Sequence, residues 1–238
     1  MQVRQELMAT IAQKLRRQGR EITDEVARKA WMNSVEQLET HALTSRRALH
    51  SALCGGDTVT LSLACWALGQ LRAEGVLNEL LSLIRRNDPI AFEAAKAIRN
   101  IASQAAIKPL IGLLTSDGPI GTRTASAYAL VGFHCIDVQQ RLCDVLGNIS
   151  EPAEIRASCA EALGDGNFEG AFDVLVLSTA DLSPDVRFWS LYALGELGLP
   201  GALQTVGSHV HDDARTSTGE LISAQATLVY EMLAQRQA

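Results

Sequence analysis

The side chains most able to do chemistry in this sequence of 238 residues are five histidines and five cysteines. Their spacing argues against most of the reactions such residues support. His209 and His211, followed by Asp212 and Asp213, come nearest to a metal site. A two-residue step puts side chains on different faces of a helix, so these four residues read as a solvated turn between helices. His41, His50 and His134 stand alone. Cys54, Cys65, Cys135, Cys143 and Cys159 include no CxxC pair, are odd in number and sit inside helical patterns. They read as small buried residues in a reducing compartment. The run Gly164-Asp165-Gly166-Asn167-Phe168-Glu169-Gly170 superficially suggests a phosphate or calcium loop. It follows a helix rather than a strand, has no Lys-Ser/Thr ending and lacks a closing glutamate, so a left-handed helix stop is expected instead. Cys54-Gly55-Gly56-Asp57 reads likewise as a turn and cap. No Ser or Cys stands in a recognisable activating context. The expectation is a chain with no catalytic residue, no metal and no cofactor.

Charge narrows the partners. Residues 1–50 hold nine Lys/Arg against six Asp/Glu, whereas the remainder holds 12 against 21. A duplex-binding protein needs a basic stripe along its working face, so nucleic acid is not expected as the ligand. Between Asp137 and Glu231 there are 15 acidic residues against four arginines, which gives either a solvated surface or a docking surface for a basic protein. No run of about 18 apolar residues exists, so no membrane span is expected. The charged start Met1-Gln2-Val3-Arg4-Gln5-Glu6 lacks the apolar run of a secretory signal, which makes a cytoplasmic location the expectation.

The elements that must position these residues are helices. Hydrophobic residues make up 47% of the chain and aromatics only 5%, which favours close packing of Ala and Leu. Five segments align without gaps: Leu63–Gly69, Glu93–Arg99, Ala125–Val131, Ser158–Gly164 and Trp189–Gly195, their last residues 30, 32, 33 and 31 positions apart. That period fits two helices plus two turns. Pro89, Pro119, Pro152 and Pro184 recur just before the aligned segments, where a missing N–H costs nothing, and Asp57, Asp88, Asp117 and Asp181 stand ready to cap. Between the aligned helices lie second apolar segments at 76–84, 107–114, 138–146, 171–177 and 202–206, with apolar residues three and four apart as in Leu77-Leu80-Leu81-Ile84. A single helix pair cannot bury both faces, so neighbours must stack. Further helices are expected near 3–17, 24–41 and 45–53.

The run from Asp185 to Gly198 (DVRFWSLYALGELG) resembles the HEAT-like repeat of phycobilisome-lyase type, and Glu154-Ile155-Arg156 through Gly164 matches it again. The resemblance spans about residues 57–210. It implies an all-α, right-handed α-solenoid of five to six helix pairs. Residues 1–54 depart from the motif and read as atypical N-terminal capping helices, with a separate docking element as the alternative, and 218–235 reads as a C-terminal capping helix, all within one domain over 1–238. The resemblance also implies that an arginine, here Arg123, Arg156 and Arg187, links adjacent repeats through an acidic partner. Leu61 and Ala91 stand at that position in the first two repeats, so the ladder is expected to be incomplete there. HEAT-repeat hydroxylases carry His-Glu pairs for a di-iron centre; no His here is followed by Glu.

Projected at 100° per residue, Val186, Ser190, Ala193, Leu194 and Leu197 share one face of the last aligned helix. The opposite face carries Asp185, Phe188, Trp189, Tyr192 and Glu196, with Trp66, Phe92, Glu93, Lys96, Tyr128 and Glu161 at equivalent positions. In related repeats this helix lines the concave side, so these ten residues other than Asp185 form a candidate partner-binding groove. The leading expectation is a non-catalytic scaffold or adaptor for a protein or peptide, a basic one in its sharper form, including an inhibitor or immunity-type protein. The alternative implied by the resemblance is a subunit of a bilin lyase or isomerase acting on an antenna protein. A HEAT-like DNA base-repair enzyme is disfavoured by the acidic balance.

Overall fold

Helices form where the three-and-four spacing of apolar residues runs unbroken, and they stop where the chain turns left-handed. The computed structural model describes Leu53, residues 58–70 and residues 72–237. Its helices are α1 (Thr58–Gln70), α2 (Leu77–Arg85), α3 (Ile90–Ile101), α4 (Ile107–Leu114), α5 (Ile120–Leu130), α6 (Ile136–Gly147), α7 (Ala153–Asp165), α8 (Phe172–Ser178), α9 (Pro184–Leu197), α10 (Ala202–Gly207) and α11 (Ile222–Gln237). Short 3-10 turns precede α2, α4 and α8. Among the described residues there is no strand, only an isolated bridge between Arg215 and Leu221. Contacts divide the chain at Gly56 into units 1–56 and 57–238. The helices expected at 3–17, 24–41 and 45–53, apart from Leu53, and the role of 1–54 as a cap lie outside the described residues, as do His41, His50 and Cys54.

The odd-numbered helices α1, α3, α5, α7 and α9 carry the five aligned segments, and each is followed by its even-numbered partner. Successive odd helices pack directly on one another along the stack, whereas the even helices meet one another only sparingly. The odd helices thus form the closely packed row of the stack and the even helices the splayed row. α11 packs on both α9 and α10 and so takes the place of a sixth odd helix.

Helix boundaries follow the punctuation. Pro184 is the first residue of α9, while Pro89, Pro119 and Pro152 sit one position earlier, as the residues that cap α3, α5 and α7. Asp88 Oδ1 accepts from the Ile90 N–H at 3.0 Å, and Asp181 Oδ1 from the Ser183 N–H at 2.8 Å. At the third site the Ser116 hydroxyl rather than Asp117 accepts from the Gly118 N–H. The left-handed stop expected within Gly164–Gly170 falls on Asn167, at φ 50°.

Small residues set the spacing of the odd helices. A Cβ placed on Gly164 would lie 2.7 Å from Ala193 Cα, so α7 and α9 touch backbone to backbone. Gly164→Ala should therefore destabilise the fold by about 1–2 kcal/mol, because overpacking outweighs the helix propensity that alanine gains. A urea midpoint equal to the parent's would show that the two helices part without cost.

The arginine ladder stitches neighbouring pairs as the resemblance implied. Arg123 Nη2 lies 2.7 Å from Glu151 Oε2, and its Nε donates to the Leu114 carbonyl at 2.7 Å. Arg156 pairs with Asp181 and donates to the Glu151 carbonyl at 3.1 Å. Arg187 engages both oxygens of Asp212, at 2.8 and 3.3 Å, and donates to the Asp181 carbonyl at 2.9 Å. Each arginine thus ties the start of its own helix to the loop leading into the next pair. Burial acts to raise the Asp212 pKa, but the Arg187 bonds and the Ala214 N–H hold it below the usual carboxylate range. Leu61 and Ala91 are buried apolar residues, so the ladder starts at the third repeat.

Candidate functional site

The projected packing face is core: Val186, Ser190, Ala193 and Leu194 are fully buried, and Leu197 nearly so. The opposite face holds the aromatic residues short of the core. Trp66 on α1, Tyr128 on α5, and Phe188, Trp189 and Tyr192 on α9 are half-buried, whereas Phe92 on α3 is 40% exposed. Glu93 and Glu161 are half-buried, and Lys96 and Glu196 are exposed. The core aromatics are instead Phe133 and Phe168, in the turns after α5 and α7.

The ten candidates fall into two groups. Trp66, Glu93, Lys96 and Tyr128 line a recess of about 370 Å³, with Arg99 and Asn100 completing its wall. Lys96 Nζ stands 3.3 Å from Glu93 Oε1, Phe92 meets Tyr128 edge-on at 6.2 Å, and the Arg99 guanidinium lies 5.2 Å above the Tyr128 ring. The second group is on α7 and α9. Trp189 packs edge-on against both Phe188 and Tyr192, at 5.4 Å in each case, and the Tyr192 hydroxyl donates to Asp165 Oδ1 at 2.8 Å. Desolvation, then the Asp165 bond, pushes the Tyr192 phenol up, so it stays protonated.

Arg99 and Asp165 join the groups. Arg99 Nη1 is 3.6 Å from Asp165 Oδ2, spanning from α3 to α7 across α5. Sequence reasoning passed over both. The available signal was a large cation at Arg99, the last position of an aligned segment that elsewhere ends in Gly or Val. Asp185, by contrast, is engaged by the loop before α11: the Ser217 N–H and hydroxyl both donate to it, the hydroxyl at 2.7 Å, which fastens that loop.

Glu161 sits beside this junction. Burial first, then the charge of Asp165, raises its pKa from 4.5 to about 7, with Arg99 opposing. The folded chain therefore binds a proton that the unfolded chain releases near pH 4.5. Stability contributed by the neutral acid is complete below about 4.5 and falls as pH rises to about 7. Glu161→Gln should remove that fall and leave the variant about 1–3 kcal/mol more stable than the parent at pH 8, with little difference at pH 4.5. Denaturation at the two pH values checks this; equal differences at both would contradict it.

Three of the thiols are held protonated. Burial pushes Cys65 up to about 12 and Cys143 up to about 11, and raises Cys159 as well. His134 packs on the Phe168 ring at 5.8 Å. His209 Nδ1 is 3.8 Å from Asp212, whose oxygens are already engaged by Arg187. Among the described residues, no group of three or more His, Cys, Asp or Glu is placed to hold a metal ion, and no helix is long and apolar enough to cross a membrane.

Residues 47–131 match the family model for HEAT repeats. Among solved structures, the chain is similar to a chain of the complex of CpcE and CpcF of phycocyanin lyase from Nostoc sp. PCC7120, with a TM-score of 0.54 and 17% identity over 65% of this chain and 98% of that one. It is also similar to a designed armadillo repeat protein in complex with peptide (KR)4, with a TM-score of 0.46 and 19% identity over 78% and 98% of the two chains. Human deoxyhypusine hydroxylase gives a TM-score of 0.46 and 16% identity over 90% and 92%. No curated protein matches the sequence. With HEAT repeats matched at 47–131 and the same helix-pair architecture continuing to the last described helix, the described residues fold as an α-solenoid of HEAT-like helix pairs.

Proposed function

We propose that this chain is a non-catalytic scaffold that holds a partner protein or peptide on the aromatic-bearing face of its odd-numbered helices. The observation that carries the proposal is the placement of six aromatics, Trp66, Phe92, Tyr128, Phe188, Trp189 and Tyr192, outside the core on helices whose packing is done by Ala, Ser and Leu. Tyr and Trp bring large apolar area with a polar edge, the composition of interface hot spots. Two carboxylates at the α7–α9 end, Glu161 and Glu196, favour a partner that brings positive charge there.

Replacing Tyr128, Phe188 and Tyr192 together by Ala tests the reading. Partner capture from the native host should be lost, with helicity unchanged and a melting loss below what core aromatics would impose, about 3–5 kcal/mol each. A loss of that core size, or undiminished capture, would show that the rings serve the fold alone. The second reading, a subunit of a bilin lyase or isomerase, is favoured by the backbone shared with the phycocyanin-lyase chain. Its test is the absorption spectrum of a bilin mixed with the protein; an unchanged spectrum removes it. Nucleic acid stays outside the proposal because the sequence from residue 51 on holds 12 Lys/Arg against 21 Asp/Glu.

A further inference from the structure

We infer that this aromatic-bearing face is two-ended, and that its occupant is an extended peptide segment carrying a carboxylate toward the α1–α5 end and a Lys or Arg toward the α7–α9 end. This rests on the docking role proposed above and adds to it the chemistry and direction of the partner.

The recess between Trp66 and Tyr128 is rich in hydrogen-bond donors. Lys96 and Arg99 are its cations, and Asn100 and the Trp66 indole supply further N–H groups that have no side-chain partner among the described residues. Glu93 is the one carboxylate in the lining, and Lys96 stands beside it. Arg99 keeps four of its five N–H donors beyond the single contact it makes with Asp165. A carboxylate entering between the rings meets donors on several sides, while a cation entering there meets Lys96 and Arg99.

The other end has the opposite character. Asp165 accepts from the Tyr192 hydroxyl at 2.8 Å, and the charges of Asp165, Glu196 and Glu161 all act on that hydroxyl, although desolvation raises its pKa most. Arg99 reaches in from the recess to Asp165, its Nη1 3.6 Å from the carboxylate. The edge-on stack of Phe188, Trp189 and Tyr192 adds ring faces on which a Lys or Arg side chain can lie. The Arg99–Asp165 contact makes the two ends adjoin. With helix axes about 8–10 Å apart and about 3.3 Å per residue of extended chain, the occupant's opposite charges should be separated by roughly three to six residues.

Panning a random peptide library against the full chain at low salt tests this, followed by anisotropy measurements on labelled copies of the enriched peptides. The expected result is enrichment of an Asp or Glu paired with a Lys or Arg at that spacing. Lys96→Glu should weaken binding several-fold, and should do so less for a version of the peptide with Asn in place of Asp. Glu196→Lys should act in the same way at the cationic end. Both substituted side chains are exposed, and circular dichroism checks that the variants fold. Enrichment of purely basic or purely apolar peptides that still require Tyr128 and Tyr192 would overturn the two-ended face and leave the docking role standing. Peptides that bind independently of these rings, or no enrichment at all, would overturn both.

Discussion

Asp181→Ala should cost the fold about 3–5 kcal/mol, the penalty for leaving one charge of a buried pair uncompensated. Arg156 and Asp181 are each about nine-tenths buried at the side chain, in the middle rung of the ladder. Asp181 does three things at once: it accepts from Arg156, caps the turn through the Ser183 N–H, and offers its carbonyl to Arg187. Alanine keeps only the last, and strands the Arg156 guanidinium with the Glu151 carbonyl. Arg156→Met combined with Asp181→Ala should recover part of the loss, because the buried charge goes with its partner. The exposed pair Arg141–Asp144 is the contrast: Arg141→Ala should cost less than about 1 kcal/mol. Urea unfolding of the three variants reads all of this, and an Asp181→Ala loss below 1 kcal/mol would mean that the ladder does not hold the pairs together.

Removing residues 218–238 should have the larger effect on solution behaviour. α11 buries Ile222, Ala226, Val229 and Leu233, which recur at four, three and four positions along a single face. At about 1.5–3 kcal/mol for each large apolar side chain, the seam contributes on the order of 5 kcal/mol. Gly195 lacks a side chain where α11 crosses it: a Cβ there would sit 2.9 Å from both Val229 Cγ1 and Met232 Cε. Arg236 also donates to the Gly195 carbonyl, and the Ser223 N–H donates to the Asp212 carbonyl, so the same helix steadies the last rung of the ladder. Without it, α9 and α10 present an apolar face to water, as the end of a repeat stack does when its cap is lost. Size-exclusion chromatography should show soluble aggregates, and Val229→Asp in the full chain should reproduce part of the effect. A truncated chain that stays monomeric with an unchanged melting curve would mean that α11 is not a cap.

The sequence by itself determined the repeat. Helix α4 occupies 107–114 as its apolar spacing dictates, α6 extends the expected 138–146 by two residues at the start and one at the end, and α10 ends one residue beyond 206. Such agreement has a physical basis: in a stacked repeat each helix packs on its neighbours in the chain, so a local pattern already specifies the contact it will make. The family resemblance marked Arg123, Arg156 and Arg187, and each ties the loop before its own helix to the loop leading into the next pair. Tertiary structure decided what spans more than one repeat. Arg99 reaches Asp165 across α5, and the loop before α11 engages Asp185 through Ser217. Phe133 and Phe168 enter the core from turns, where no helical periodicity marks them. A side chain's own period reports which face of its helix it occupies; how closely the faces of distant helices approach depends on the spacing summed over every small residue between them, and no single segment encodes that.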